Sequence, residues 1–137
     1  MQTSEPRLIV RPSGDLHSFI QLGPYAIESL ILPQEEIRST AYRVKVEPNS
    51  ITSTSFHRIA EELYFVLSGD GVAVLDGVKH QLKAGVFLRL PPGTTHSFTA
   101  GPSGLEMLDI HTPGCRPDRD VYFVGSETPE GFKNLNE

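Results

Sequence analysis

Histidines and carboxylates are the side chains of this chain whose types and spacing point to chemistry. His57 precedes Glu62 by five residues, which is room for the chain to turn a corner between them. His96 follows Pro91-Pro92-Gly93-Thr94-Thr95 and opens a run that continues through Phe98. Side chains two apart on a strand share a face. Glu62, Tyr64 and Val66 therefore point one way, and Leu63, Phe65 and Leu67 the other. A carboxylate facing a closed interior is costly unless it is paired or bound to a metal. Two imidazoles and one carboxylate make the facial triad of many non-haem iron oxygenases, and the same donors accept Mn, Ni or Zn. That chemistry requires the three residues to lie on neighbouring strands, which spacing alone does not establish. His111 ends another strand-like run with Asp109 on its face, and is a candidate fourth donor. Tyr42, Tyr64 and Arg89 are candidate pocket residues, although such residues are more often packed or at a rim. Glu61, His17 and His80 read as surface groups. Arg43 and Lys45 share a solvent face with Glu47. Cys115 has no base beside it in sequence and reads as structural.

The elements that would position these residues are strands. Twelve glycines and eleven prolines are spread between short runs rich in Val, Leu, Ile, Phe and Tyr. Turn signals every 8–12 residues or so suit an all-β sandwich, jelly roll or barrel. Strands are expected at Ala41–Glu47, Glu62–Leu67, Gly71–Leu75, Val78–Leu82, Val86–Leu90, His96–Thr99 and Leu105–His111. Asp76-Gly77 is a two-residue hairpin signal. Ser68-Gly69-Asp70-Gly71 and Pro91-Pro92-Gly93 are expected as further turns. Leu30–Ile37 suits a turn or a short helix. The first forty residues should add a strand or two. Val121–Val124 should dock, and the last ten or so residues should be loose.

Composition narrows the function. The chain has 137 residues and a formal net charge of -5, from 12 basic and 17 acidic residues. One domain is expected at this length, and a negative chain is a poor partner for nucleic acid. No apolar run approaches the roughly 20 residues that span a bilayer, and Met1 to Arg7 lacks the apolar stretch of a secretory signal. With one cysteine, no internal disulfide is available. These features point to a cytoplasmic protein. No phosphate loop, dinucleotide fingerprint or nucleophile elbow is present.

Two stretches resemble the paired motifs of the cupin superfamily. The first runs from Asn49 through Ser55, His57 and Glu62 to Gly69. The second runs from Gly85 through Pro91-Pro92-Gly93 and His96 to Ala100. Asn49 stands where the pattern has a glycine, and Asn tolerates the left-handed conformation that position uses. Ala100 stands in place of a final Asn. Ser55 stands where the family has its first metal-binding histidine, and a hydroxyl is a poor ligand for such ions. The resemblance implies a double-stranded β-helix, or jelly-roll barrel, over residues 40–124. Residues 1–39 would form an extension packed on it and 125–137 a tail. It also implies one divalent metal ion per chain (Fe, Mn, Ni or Zn), held by His57, Glu62 and His96. Ser55, Tyr64, Phe98 and His111 would be pocket residues.

The expected function is a metal-dependent enzyme acting on a small molecule inside the barrel. The open positions of a two-His-one-carboxylate centre favour a dioxygenase, with an isomerase or lyase next. An apolar wall of Phe98, Val66 and Met107 would exclude water. The alternative is a non-catalytic domain that binds a small metabolite, with or without a metal. A homodimer is expected, because Leu63, Phe65 and Leu67 need a cover from a second subunit or from the N-terminal extension.

Overall fold

The structure, a computed structural model, describes residues 7–125 and 128–132. It is all-β. The strands are β1 (Ile20–Leu22), β2 (Tyr25–Ser29), β3 (Thr40–Val46), β4 (Ser55–Phe56) and β5 (Glu61–Leu75). They continue with β6 (Val78–Lys83), β7 (Phe87–Leu90), β8 (His96–Thr112) and β9 (Tyr122–Phe123). Every pairing is antiparallel, in the order β1-β2-β3-β8-β4-β9, and β5 pairs with β6, β7 and β8. The sheet curls on itself as a jelly-roll barrel. No helix among the described residues is long and apolar enough to cross a membrane.

Alternation decides what faces inward. On β3, Thr40, Tyr42, Val44 and Val46 are buried. On β5 the inner set is Glu62, Tyr64, Val66 and Ala73. On β8 it includes His96, Phe98, Met107, Asp109 and His111. Along these faces the inner side chains change from apolar to polar: Val66 gives way to Glu62 on β5, and Met107 to His111 on β8. Val66, Phe98 and Met107 have no exposed surface. Each such burial stabilises by about 1.5–3 kcal/mol. The barrel is thus filled in its depth and polar at one end.

Two expected interruptions do not break strands. Glu62–Leu67 and Gly71–Leu75 are one strand, and so are His96–Thr99 and Leu105–His111. Ser68-Gly69-Asp70-Gly71 is not a turn but an irregularity in the β5–β8 pairing, with register shifts at Val66/Ser68 and Gly69/Gly71. Glycine serves here because the neighbouring backbone comes close. A side chain on Gly69, where φ is +84°, would meet the Gly104 carbonyl oxygen at 2.0 Å. One on Gly71 would meet that of Thr99 at 2.2 Å. Such a kink lets a strand bend around a barrel without ending.

Other local expectations agree with the structure. Asp76 and Gly77 both have positive φ and close the β5–β6 hairpin. Asn49 has φ 58° in place of the glycine. Leu30–Ile37 contains a single 3-10 turn, Pro33–Glu35. The N-terminal segment contributes the β1–β2 hairpin, which extends the sheet at β3. In the C-terminal segment β9 pairs with β4, and Phe132 packs on Phe123 and Tyr25. Residues 1–6, 126–127 and 133–137 lie outside the described residues, and with them most of the expected loose tail and the start of the chain. The extension pairs with β3 and leaves the outer face of β5 uncovered: Phe65 is 42% exposed and Leu67 37%. Phe87, directly across from Phe65, is 58% exposed.

Candidate functional site

His57 follows the short strand β4, and its position is fixed from the far end of the chain. Asp120, with φ 62°, turns its carboxylate onto the 58–60 backbone. It accepts from the N–H groups of Arg58 (2.9 Å), Ile59 (3.2 Å) and Ala60 (2.9 Å). The carbonyl oxygen of Asp120 lies 2.6 Å from His57 Nδ1. A carbonyl only accepts, so Nδ1 carries a proton. His57 Nε2 is thereby aimed at Glu62 Oε1, 3.1 Å away. His96 repeats the arrangement. Its Nδ1 faces the Thr94 carbonyl at 3.1 Å, and its Nε2 lies 3.3 Å from the same Glu62 oxygen. His111 reaches the other oxygen, with Nε2 2.7 Å from Glu62 Oε2.

Three imidazole Nε2 atoms therefore surround one buried carboxylate that is 1% exposed. Nitrogen lone pairs facing a carboxylate repel it unless a cation or a proton lies between. Burial opposes the charge on Glu62, but His111 and His96 beside it, with hydrogen bonds from His111 and His57, hold its carboxyl well below the usual range. Burial works against a charged His57, yet Cys115 and Glu62 outweigh it and push the imidazole up to about 11. Burial pushes His96 down. The chemistry of this set suits a divalent ion of the Mn-to-Zn series. The donor atoms of His57, Glu62 and His96 all lie within 4.8 Å of one another; so do those of Glu62, Asp109 and His111, and those of His57, His111 and Cys115.

These groups line a pocket of about 70 Å³ that opens to solvent. Of the expected pocket residues, Ser55, Tyr64 and His111 line it, with Tyr42. Phe98 does not. It lies fully buried beneath Tyr64 and His96, with ring centroids 5.0 and 6.3 Å away. Val66 and Met107 are likewise core and not wall. All three sit on inward faces where the sheet closes and no free space is left. The apolar wall is instead Tyr25, Ile27, Val44, Val121, Phe123 and Phe132. Arg89 is on the outside, paired with Glu61 at 2.8 Å.

Three site residues escaped the sequence reading. Asp109 lines the pocket, and its Oδ1 is buried without a hydrogen-bond partner. Burial, then the Glu62 charge, holds its carboxyl well above the usual range. The i, i+2 spacing to His111 placed it on the right face but gave it no role. Cys115 also lines the pocket, its Sγ 3.4 Å from His57 Nδ1. Its thiol is pushed up by burial. Asp120 acts through the backbone. The base near Cys115 is 58 positions away in sequence, so no local pattern could reveal it.

The profile of the Cupin domain family matches residues 42–111. Dimethylsulfoniopropionate lyase DddW of Ruegeria pomeroyi is 46% identical over 44 residues, which is 32% of this chain. The matched stretch spans 29% of that protein. The polyketide cyclase RemF from Streptomyces resistomycificus superposes with a TM-score of 0.64 and 26% identity, over 77% of this chain and 75% of that one. Pac13, a nucleoside dehydratase, superposes with a TM-score of 0.66 and 20% identity, over 87% and 95% of the two chains.

Proposed function

The chain belongs to the cupin domain family, and from that premise we propose that it is a metal-dependent enzyme that performs lyase-type chemistry on a small molecule held in the barrel. The observation that carries this reading is the convergence of three imidazole Nε2 atoms on the buried Glu62 carboxylate. His57, Glu62 and His96 would hold one divalent ion. When bound, the ion supplies a Lewis acid that polarises a substrate oxygen.

The chain's own residues supply the rest. Tyr25, Ile27, Val44 and Phe123 form the wall that keeps water from the reacting atoms. Tyr64 is buried, and with Asp109 and Glu62 nearby its phenol is held well above its usual range. It stays protonated and donates a hydrogen bond. Asp109 Oδ1 lines the pocket, buried without a protein hydrogen-bond partner, and would be open to a substrate. A protonated carboxyl there can donate a hydrogen bond to a substrate oxygen and hold it in place. The likeness to a lyase over one segment supports elimination over oxygen insertion. A dioxygenase is the second reading, favoured by the two-His-one-carboxylate set of His57, Glu62 and His96. We assign the reaction to the cytoplasm, on the single unpaired Cys115, and the assembly to a homodimer.

The test is elemental analysis of protein purified without a His tag or chelator. About one divalent ion per chain is expected. Stripping it should lower the melting midpoint, since an ion at 100 times its Kd adds about 2.7 kcal/mol to stability. Dimethylsulfoniopropionate is the first elimination substrate to assay. No ion, and none taken up on titration with Fe(II), Mn(II), Ni(II) or Zn(II), would overturn the enzyme reading in favour of a metal-free domain that binds a small metabolite.

A further inference from the structure

We infer that His111 is the fourth donor of the metal centre, replacing across the barrel the imidazole that Ser55 lacks. This rests on the metal-centre reading above and assigns a residue outside both sequence motifs. On β4, Ser55 pairs in register with His96 and its Oγ lies 3.5 Å from His96 Nε2. The position is therefore at the centre, but its hydroxyl is a poor donor for these ions. On β8, His111 pairs in register with Glu62 of β5. That pairing brings Nε2 to 2.7 Å from Glu62 Oε2, on the oxygen that His57 and His96 leave unused. The His57 and His111 rings stand edge to face with centroids 4.8 Å apart.

The protonation pattern of His111 agrees with a ligand. Its Nδ1 lies 3.5 Å from Thr40 Oγ1. The Thr40 hydroxyl proton is committed to the Cys115 carbonyl at 3.0 Å, and one lone pair accepts from Cys115 N–H at 2.9 Å. Only a lone pair is left to face the ring, so Nδ1 is the protonated nitrogen. With Nδ1 holding its proton, Nε2 is the nitrogen left to meet an ion beside Glu62, as in His57 and His96. Holding the far nitrogen in this way is how metal-binding imidazoles are oriented. With an ion bound, three His and one Glu would meet it, the fourth donor coming from the end of β8 instead of from β4.

The experiment is calorimetric titration with Co(II), read together with the visible absorption of the bound ion. His111→Gln should weaken binding by about tenfold or more and change the Co(II) absorption. Adding Ser55→His to that variant should recover affinity. Unchanged affinity and absorption in His111→Gln would overturn the inference and leave the metal centre standing. A wild-type protein that takes up no Co(II) would sink both. Should His111→Gln fail to fold, pulsed electron paramagnetic resonance of the Cu(II)-loaded wild type counts the bound imidazoles directly. Three support the assignment and two refute it.

Discussion

Glu62 makes ion-pair contacts with three histidines while 1% exposed. A carboxylate so buried is stable only if positive charge meets it. Glu62→Gln removes that charge and keeps the shape. It should lower divalent-metal affinity by about tenfold or more, read by elemental analysis after dialysis. Metal retained at wild-type level would count against the ligand assignment. A second acid acts at the rim. Glu36 pairs with Arg116 at 3.0 Å and with Arg119 at 2.5 Å, and Arg116 lines the pocket. Burial opposes its charge, but Arg119 and Arg116 hold the carboxyl below its ordinary value of 4.5. A lowered folded-state value contributes stability above the unfolded value. That stability is lost as pH falls through the folded one. Melting midpoints taken from about pH 6 down to about pH 3 should therefore fall more steeply in wild type than in Glu36→Gln. Parallel curves would show that the pair contributes nothing.

Two long strands, β5 and β8, do most of the positioning. They pair from Glu61–Thr112 to Leu75–His96, so Glu62, Asp109, His111 and His96 all sit on the same ladder. The kink at Gly69 keeps that ladder continuous around the barrel. Gly69→Ala should cost about 3 kcal/mol or more, because it combines a positive φ with a backbone clash. Thermal melting checks this, and an unchanged midpoint would mean that the strands adjust freely. The other positioning device is Asp120, which ties the His57 segment to the chain beyond β8 through three backbone N–H groups.

At the scale of the whole molecule, the barrel leaves one apolar face open. Phe65 and Phe87 oppose each other across β5 and β7, with Leu67 beside them. Exposed aromatic pairs of this kind mark contact surfaces more often than isolated residues do. The homodimer proposed above would use this face. Phe65→Glu should then convert a dimer to a monomer in light scattering while the melt stays cooperative. A wild-type monomer, or a variant dimer, would remove the proposal.

The strand pattern and the hairpin at Asp76-Gly77 were legible in the sequence, and the motif resemblance named His57, Glu62 and His96, whose convergence only the structure shows. Alternation and turn chemistry are local, and the motif spacing is carried by short segments. The continuity of β5 and β8 was not legible, because glycine signals a turn and a strand kink alike until a partner backbone is known. Phe98 was misplaced for a related reason: alternation says which face a residue is on, not how deep it lies. His111 was visible only as a candidate, and Asp109 only as its neighbour. Cys115 and Asp120 carried no local signal at all. Their roles come from contacts about sixty residues apart, and only the closure of the barrel brings such groups together.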